Sequence, residues 1–366
     1  MTEQTFHIDN RSSFDLWKLR SKCGGYSLIE LLVAIAIIGI LMALALPALQ
    51  QSWAASRRVQ CQNNLRNINL AMLQVVDSTG RFPASGNFTE EFGRHHSWVV
   101  DLLPWLEQQA IADRWNKDRS IYDAVNEPLT RMPIPVLACP ADISLSDPDD
   151  RQGDLSYVVS DGVGYTVFHQ GVHDCPIDLR GRRLDLNGDG TSCPSDGSQD
   201  EDKALFLNMG MFFNETWKSD ISRRHHTLTT VTDGLSNTVI FSENVRTGYN
   251  PDSDDPWATS WASPSPMQSS FHIGNPCLDA NCSAGNVDYD RSNQGEAAIN
   301  SGLTKPEGSS AVPNSFHVGG VNMAFGDGRV QFVSESIDGS VYASIVSPQG
   351  GDLAGTPLEQ GHGGSF

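Results

Sequence analysis

An acidic turn carries the oxygen ligands that a calcium ion prefers. Asp185, Asn187 and Asp189 occupy the first, third and fifth positions of a D-x-N-x-D-G segment. In a calcium loop these positions supply side-chain oxygens, and the seventh, here Thr191, supplies a backbone carbonyl. The twelfth position is Asp196, one methylene shorter than the usual glutamate. The pattern predicts calcium as a cofactor, and the alternative is a solvated Asx turn.

The cysteines predict disulfides. The chain has seven cysteines, and Cys23 precedes a long apolar segment that the other six follow. An even number of cysteines outside the cytoplasm suggests a disulfide framework whose pairing the sequence alone leaves open. The pairs that we favour are Cys277–Cys282 as a local loop, Cys175–Cys193 around the acidic turn, and Cys61–Cys139 between a long helix and the rest of the chain.

Two tandem histidine pairs and His317 are candidates for a metal-binding or catalytic role. Neighbouring residues on a strand point to opposite faces, so neither His95-His96 nor His225-His226 forms a chelate alone, although one histidine of each pair could contribute to a shared site. His317 and Asp327 would lie at opposite ends of a hairpin that turns at Asp327-Gly328. This favours a turn-shaping role for Asp327 and a bond from His317 to a nearby loop over a catalytic pair. The sequence also lacks the common hydrolase, P-loop and dinucleotide signatures, so we expect no enzyme.

The overall charge limits the partners. The chain has 366 residues, with 44 acidic and 25 basic side chains and a formal charge of −19. A nucleic-acid binder needs a basic face, so the expected partners include no nucleic acid. A hydrophobic content of 39% is sufficient for a packed core.

One apolar segment predicts a membrane anchor. Leu31 to Leu49 form 19 positions without a charge, which as a helix span roughly 28 Å, close to a bilayer core. Basic residues precede this segment, so we expect a single pass through the inner membrane lipid with a cytoplasmic N-terminus and an extracytoplasmic head, in the periplasm or at the cell surface. The pattern argues against the alternative, a secretory signal peptide, because the apolar segment is longer than usual for one and no small-x-small cleavage site follows it.

The residues at the start of this segment resemble a known signal. Lys22-Cys23-Gly24-Gly25, followed by Tyr26-Ser27-Leu28-Ile29-Glu30 and the apolar run, is similar to the class III signal of type IV pilins and type II secretion pseudopilins. Tyr26 departs from the Phe or Met usual in that family. A carboxylate at this depth costs on the order of 2–3 kcal/mol unless it is paired, so Glu30 requires an explanation.

The resemblance implies a maturation and an assembly. A prepilin peptidase would cleave after Gly25, and the new N-terminal residue, Tyr26, would be methylated. The Glu30 carboxylate would then pair with the freed amine of a neighbouring pilin-like subunit and set the register. Pro47 falls where many pilins carry a proline, and it should kink or loosen the helix. The resemblance implies a structural subunit of a type IV pilus or type II secretion-like assembly. The alternative is a surface binding protein or enzyme that a pilin-type anchor merely tethers.

The elements that position these residues form an expected α+β fold. A long helix from about Leu28 to Thr79 would be half membrane-spanning and half packed on a head with an antiparallel sheet. The expected segments are a leader over 1–25, a membrane helix over 26–49, an amphipathic extension over 50–79 and a head over 80–366 with an acidic insertion at about 170–215. A second helix is expected over 97–115. Expected strands are Ser156–Ser160, Tyr165–Phe168, Thr227–Thr232, Thr238–Ser242, Gly320–Phe325 and Arg329–Val333.

A second resemblance covers most of the chain after the leader. An ordered set of short motifs is similar to a large bacterial family of unknown function with pilin-type N-termini. That family carries a C-terminal signature of a histidine, nine residues and Asp-Gly, which corresponds here to His317 and Asp327-Gly328. Leu235 and the acidic insertion depart from its pattern. The motifs are Cys61 to Arg66, Gly80 to Pro83, Leu102 to Gln108, Ala138 to Pro140, and Thr232 to Thr238.

Overall fold

The structure is a computed structural model that describes residues 27–89, 93–142, 153–164, 183–187, 189–191, 201–215, 225–248, 259–274 and 289–352. The chain divides into two compact units, Met1–Ser52 and Trp53–Phe366. Gly25, Tyr26 and the strand expected over 165–168 lie outside the described residues.

The expected long N-terminal helix is confirmed. Helix α1 covers Leu28–Thr79, and it continues past Pro47 instead of ending there. Its most apolar 18-residue window has a mean hydropathy of 2.8, and none of that window is buried. By length and composition this part of α1 is able to cross a membrane.

The second half of α1 is a core element of the other unit. Its buried residues recur at helical spacing, which places them on one face. Burial begins at Cys61, later than the expected amphipathic extension, because Trp53 and Val59 remain 64% and 54% exposed. The buried residues are Cys61, Leu65, Ile68, Asn69, Ala71, Met72, Val75 and Val76.

The described part of the chain also contains eight strands and six shorter α-helices, in addition to short 3-10 turns. The strands are β1 (Gly86–Thr89), β2 (Gly93–Ser97), β3 (Leu155–Val163), β4 (Asn214–Glu215), β5 (Val239–Thr247), β6 (Ser270–Ile273), β7 (Gly320–Phe325) and β8 (Val330–Ser334). The helices are α2 (Trp98–Leu102), α3 (Gln109–Ala112), α4 (Glu127–Thr130), α5 (Glu201–Met209), α6 (Pro266–Ser269) and α7 (Gly339–Val346).

The strands form two mixed sheets. The larger sheet has the order β6-β3-β5-β7-β8, and the smaller has the order β2-β1-β4. Most neighbouring strands are antiparallel, but β3 pairs with β6 and β1 pairs with β4 in parallel. The α+β fold is therefore confirmed, and the expected antiparallel pairing holds for all neighbouring strands except these two pairs.

The larger sheet is covered on both faces. Tyr157 and Val159 of β3 share a hydrophobic cluster with Leu65 of α1, whereas Val158 shares another with Tyr342 of α7. Alternate residues of a strand point to opposite faces, so α1 and α7 pack on opposite sides of the sheet. All nine residues of β3 are buried as a result.

The hairpin expected near the C-terminus is present. β7 and β8 pair antiparallel with Ala324 opposite Val330. In the turn, Gly328 has a φ of 92°, which favours glycine. The Asp327 carboxylate accepts a hydrogen bond from the Arg329 amide at 2.9 Å, so Asp327 shapes the turn.

Two other expected elements are wrong. The single helix over 97–115 is divided into α2, a 3-10 turn over Leu103–Leu106 and α3. Pro104 lies in that 3-10 turn, and Glu107 after it has a left-handed φ of 60°. Thr227–Thr232 forms turns rather than a strand, with the Thr230 hydroxyl bonded to the backbone of Thr227.

A buried carboxyl lies within β3. Asp161 is 2% exposed, and one of its oxygens accepts a hydrogen bond from the Ser270 hydroxyl at 2.5 Å. Burial raises the pKa of Asp161 to about 7, and the hydroxyls of Ser270 and Ser85 oppose this rise. The carboxyl is therefore more easily ionised in the unfolded chain than in the folded one.

We expect Asp161 to make the head less stable as the pH rises from about 4 to about 7. In this window the Asp161 carboxyl binds fewer protons in the unfolded chain than in the folded chain. The free energy of unfolding therefore falls as the pH rises. Asp161→Asn should remove this dependence and be more stable than wild type above about pH 8. Urea unfolding at several pH values measures this, with Asp113→Asn as an exposed control. A D161N variant with an unchanged pH dependence would contradict the assignment.

Candidate functional sites

The first candidate site is the start of α1. The Ser27 amide donates a hydrogen bond to Oε2 of Glu30 at 2.9 Å, and the Ser27 hydroxyl accepts one from the Ile29 amide at 3.4 Å. A serine followed three residues later by a glutamate is the capping-box pattern, in which side chains satisfy amides that the first helical turn leaves unpaired. Glu30 thus has a partner within its own chain, which the sequence analysis missed.

The second candidate site surrounds a disulfide. Cys61 of α1 and Cys139 are bonded, with an S–S distance of 2.05 Å and Cα atoms 5.1 Å apart. This is the pair that we expected to join the long helix to the head. Cys139 follows a 3-10 turn over Pro135–Leu137, and both cysteines are almost completely buried. The other expected pairs, Cys175–Cys193 and Cys277–Cys282, lie outside the described residues.

A histidine and a glutamate lie directly beside this disulfide. The Nε2 atom of His317 is 3.3 Å from Oε1 of Glu243 and 3.7 Å from Sγ of Cys139. Oε1 of Glu243 is 3.8 Å from the same sulfur. One sulfur from each cysteine, the imidazole nitrogen and a carboxylate oxygen all lie within 4.8 Å of one another. We call these four residues the Cys61/Cys139/Glu243/His317 cluster.

Hydrogen bonds from Asn322 hold the carboxylate of this cluster. Glu243 lies on β5 and is 0% exposed. Its Oε2 accepts from the Asn322 backbone amide at 2.8 Å, and its Oε1 accepts from the Asn322 side-chain amide at 2.9 Å. Gln62 of α1 in turn donates to the Asn322 side chain at 2.9 Å. The orientation of Glu243 is therefore fixed by β7, which is the neighbour of β5 in the sheet.

From the sequence we expected His317 to bond a nearby loop, whereas in the structure it lies beside Glu243 of β5. His317 and Asp327 contact different residues, which agrees with the expected separation of the two. Glu243 was missed altogether. The available signal was an acid shortly after the apolar run Val239-Ile240-Phe241 that begins β5, where a buried carboxylate needs a specific partner.

The third candidate site is a cavity that one histidine of each tandem pair lines. His96 of β2 and His225 face this cavity, together with Asp101 and Glu215. Nδ1 of His225 bonds the Phe82 carbonyl at 3.0 Å, and its Nε2 lies 3.7 Å from Glu215. The structure thus brings one histidine of each pair to the same cavity, an arrangement that the sequence left open.

The groups that line the cavity differ in charge. Burial lowers the pKa of His225, and the Arg81 charge lowers it further, so His225 is neutral near pH 7. Burial alone would raise the pKa of Asp101, but the imidazole of His96, with its Nε2 at 3.8 Å, and the nearby Lys117 ammonium bring it to about 2. The Lys117 ammonium lies 2.5 Å from Asp101. The cavity therefore offers one neutral imidazole beside charged groups of both signs.

The acidic turn uses its own carboxylates as turn caps. Asp185 accepts a hydrogen bond from the Gly190 amide at 2.9 Å, and Asp189 accepts from the Thr191 amide at 2.7 Å and from the Thr191 hydroxyl. The Asn187 side-chain amide donates to Glu201 of α5 at 3.1 Å. Asp196 lies outside the described residues, so calcium binding stays a prediction.

Comparison with known proteins identifies two matches. The family described as "Protein of unknown function (DUF1559)" matches residues 50–340. The "Prokaryotic N-terminal methylation motif" matches residues 20–46. No curated protein and no solved structure matches the chain. The pilin-type resemblance is confirmed at this level, whereas the His317 and Asp327-Gly328 signature stays a prediction.

We expect calcium to stabilise the acidic turn if the ion is a ligand. Millimolar calcium should then raise the melting temperature of the head, because the ion would neutralise repulsion among Asp185, Asp189 and their neighbours. Asp189→Asn should remove the shift, and Asp113→Asn, a distant exposed acid, should leave it intact. Differential scanning calorimetry and isothermal titration measure the effect. No heat and no thermal shift in wild type would eliminate the site.

Proposed function

Because the chain belongs to the DUF1559 family of proteins of unknown function and carries a prokaryotic N-terminal methylation motif, we propose that it is a pilin-like structural membrane protein. In this proposal a prepilin peptidase processes it after Gly25, and it assembles with other pilin-like subunits in a type IV pilus or type II secretion-like system. Its role is structural and involves no catalysis. The head lies outside the cytoplasm, in the periplasm or at the cell surface.

The observation that carries this proposal is the exposed apolar half of α1. Its large side chains are about half exposed or more, for example Leu32 at 60% and Ile40 at 64%. Monomeric soluble proteins rarely expose an apolar surface of this extent, so lipid or other apolar helices must cover it. A pilin-like subunit would meet both surroundings: lipid while it is held in the membrane, and neighbouring apolar helices after it assembles.

The start of α1 supports the assembly step. Oε2 of Glu30 accepts the Ser27 amide, and a carboxylate can accept about four hydrogen bonds in total. It therefore has capacity for an ammonium group in addition to its cap. Cleavage after Gly25 would create such a group on Tyr26. A neighbouring subunit's amine paired with Glu30 would offset the cost of placing this carboxylate in an apolar bundle.

A second candidate function is ligand binding by a tethered head. The cavity beside His96 and His225 favours it, since polar groups of both signs converge on a partly apolar recess there. In this case the pilin-type signal would provide only an anchor. The two functions differ in whether the chain leaves the membrane with a polymer.

We expect the mature chain to begin at Tyr26 with a methylated amine. Gly25→Val should block maturation by placing a branched side chain at the cleaved bond, whereas Gly24→Ala should be processed as wild type. Mass spectrometry of the N-terminal peptide from membrane-purified protein measures both. Material that still begins at Met1 in cells with an active prepilin peptidase would contradict the proposal.

We expect the charge of Glu30 to be required for polymerisation. Glu30→Gln keeps an oxygen that can accept the Ser27 amide but removes the charge, and Glu30→Ala removes both. If pairing with an amine drives assembly, both variants should lose most of the protein from the sheared filament fraction. The measurement is quantitative immunoblotting of sheared and membrane fractions.

Two results would contradict this assignment. A Glu30→Gln variant that assembles as wild type while Glu30→Ala does not would show that only the helix cap matters. Wild-type protein that stays wholly in the membrane fraction would favour the tethered head.

A further inference from the structure

We propose that the Cys61/Cys139/Glu243/His317 cluster is a zinc site in the reduced chain, closed by a disulfide when the chain is oxidised. Cysteine thiolate, histidine nitrogen and carboxylate oxygen are each donors that zinc takes in proteins, and the cluster supplies four such donors. The four residues come from distant parts of the sequence, and the fold brings all four donor atoms within 4.8 Å of one another. The proposal concerns the head alone and does not depend on the function of the N-terminal anchor.

The distances between donors fit a tetrahedral zinc ion. With bonds of about 2.3 Å to sulfur and about 2.05 Å to nitrogen or oxygen, the edges of such a tetrahedron are about 3.3 Å between N and O and about 3.6 Å between S and N or O. The observed separations are 3.3 Å from His317 Nε2 to Glu243 Oε1 and 3.7 Å from His317 Nε2 to Cys139 Sγ. Oε1 of Glu243 is 3.8 Å from Cys139 Sγ. Three of the four donors thus already have the spacing of ligands.

Burial and support from neighbouring residues match a structural rather than a catalytic metal site. All four residues are buried, and four protein ligands would leave no position for a substrate. Asn322 holds both oxygens of Glu243, and Gln62 holds Asn322. Outer hydrogen bonds of this kind orient the ligands of metal sites. The same support explains why a carboxylate with no exposed surface persists at this place.

The chemistry of the switch between the two forms balances. An external dithiol reduces the Cys61–Cys139 bond, supplies two electrons and two protons, and itself becomes a disulfide. The two cysteine thiols then release one proton each to solvent when zinc binds, because thiolate is the ligand form. Oxidation reverses the sequence and releases the metal. The pair of Glu243 and His317 remains in place in both forms, and the sulfur of Cys61 takes the fourth position.

The test uses the full chain, made by cell-free synthesis in detergent. A phosphine reductant is present throughout, so the Cys61–Cys139 disulfide never forms. Cobalt is the spectroscopic probe, and zinc content is measured by elemental mass spectrometry. We expect one metal per chain, with thiolate-to-cobalt absorption bands that zinc displaces. Oxidation with diamide should release the zinc as the Cys61–Cys139 bond forms.

Matched variants separate this site from the remaining cysteines. A variant with serine at Cys23, Cys175, Cys193, Cys277 and Cys282 keeps the cluster and should still bind one metal with the same spectrum. A Cys61→Ser/Cys139→Ser variant keeps the other five cysteines and should lose it. His317→Gln and Glu243→Gln should each weaken zinc binding by at least about tenfold.

The outcomes that overturn the proposal are specific. Reduced wild type with both thiols free by mass mapping, yet with no metal bound, would show a purely structural disulfide. Metal retained by the Cys61→Ser/Cys139→Ser variant would place binding at other cysteines. The five-serine variant keeps every cluster residue, so a reduced five-serine variant that binds no metal also overturns the proposal, even if the Cys61→Ser/Cys139→Ser variant does not fold.

Discussion

The structure depends on one helix that must satisfy two different surroundings. Up to about residue 57 every described side chain of α1 is exposed, whereas from Cys61 onward one face of the helix is in the core of the head. The hydrophobic effect acts on both parts, but the second part finds its apolar partners within the chain and the first does not. The first part therefore needs lipid or neighbouring apolar helices around it. This requirement distinguishes the chain from an α+β protein that buries all its apolar surface within itself. Cys61, the first buried residue of the helix, is also where a disulfide joins it to the head.

Packing of α1 on the larger sheet also fixes the positions of polar side chains on the interior strands. Because α1 and α7 cover opposite faces, the interior strands β3, β5 and β7 are buried, and any polar side chain on them must be paired within the protein. Glu243 meets this requirement with both carboxylate oxygens, whereas among the described residues Asp161 has a hydrogen bond to only one of its two oxygens. Glu243 accepts hydrogen bonds from Asn322 and lies beside His317, whereas Asp161 relies on serine hydroxyls and has its pKa raised to about 7. The two buried acids therefore differ in their partners, which are a backbone amide, a side-chain amide and an imidazole for Glu243 and a serine hydroxyl for Asp161.

Expectations from the sequence succeeded where one local signal was enough. Helix α1 follows from an apolar run and a continuing helical period, and the β7–β8 hairpin follows from alternation around Gly326-Asp327-Gly328. They failed where local signals compete. The segment 97–115 has helical spacing, but Pro104 and the left-handed Glu107 divide it. Thr227–Thr232 has the β-branched composition of a strand, but the Thr230 hydroxyl bonds the local backbone and stabilises turns instead. The parallel pairings of β6 and β4 involve strands of four and two residues, too short to carry a pattern.

The sequence by itself determined the apolar segment, the N-terminal methylation motif and the α+β class. Each of these rests on composition or spacing within one segment, whereas the pairing of Cys61 with Cys139 was one favoured choice among several until the structure decided it. Only the tertiary structure decided which distant side chains meet. It placed Glu243 and His317 beside the disulfide, His96 and His225 at one cavity, and the Ser27 amide against Glu30. The physical reason is that strand order and helix packing set distances between residues far apart in the chain, and no local pattern encodes those distances.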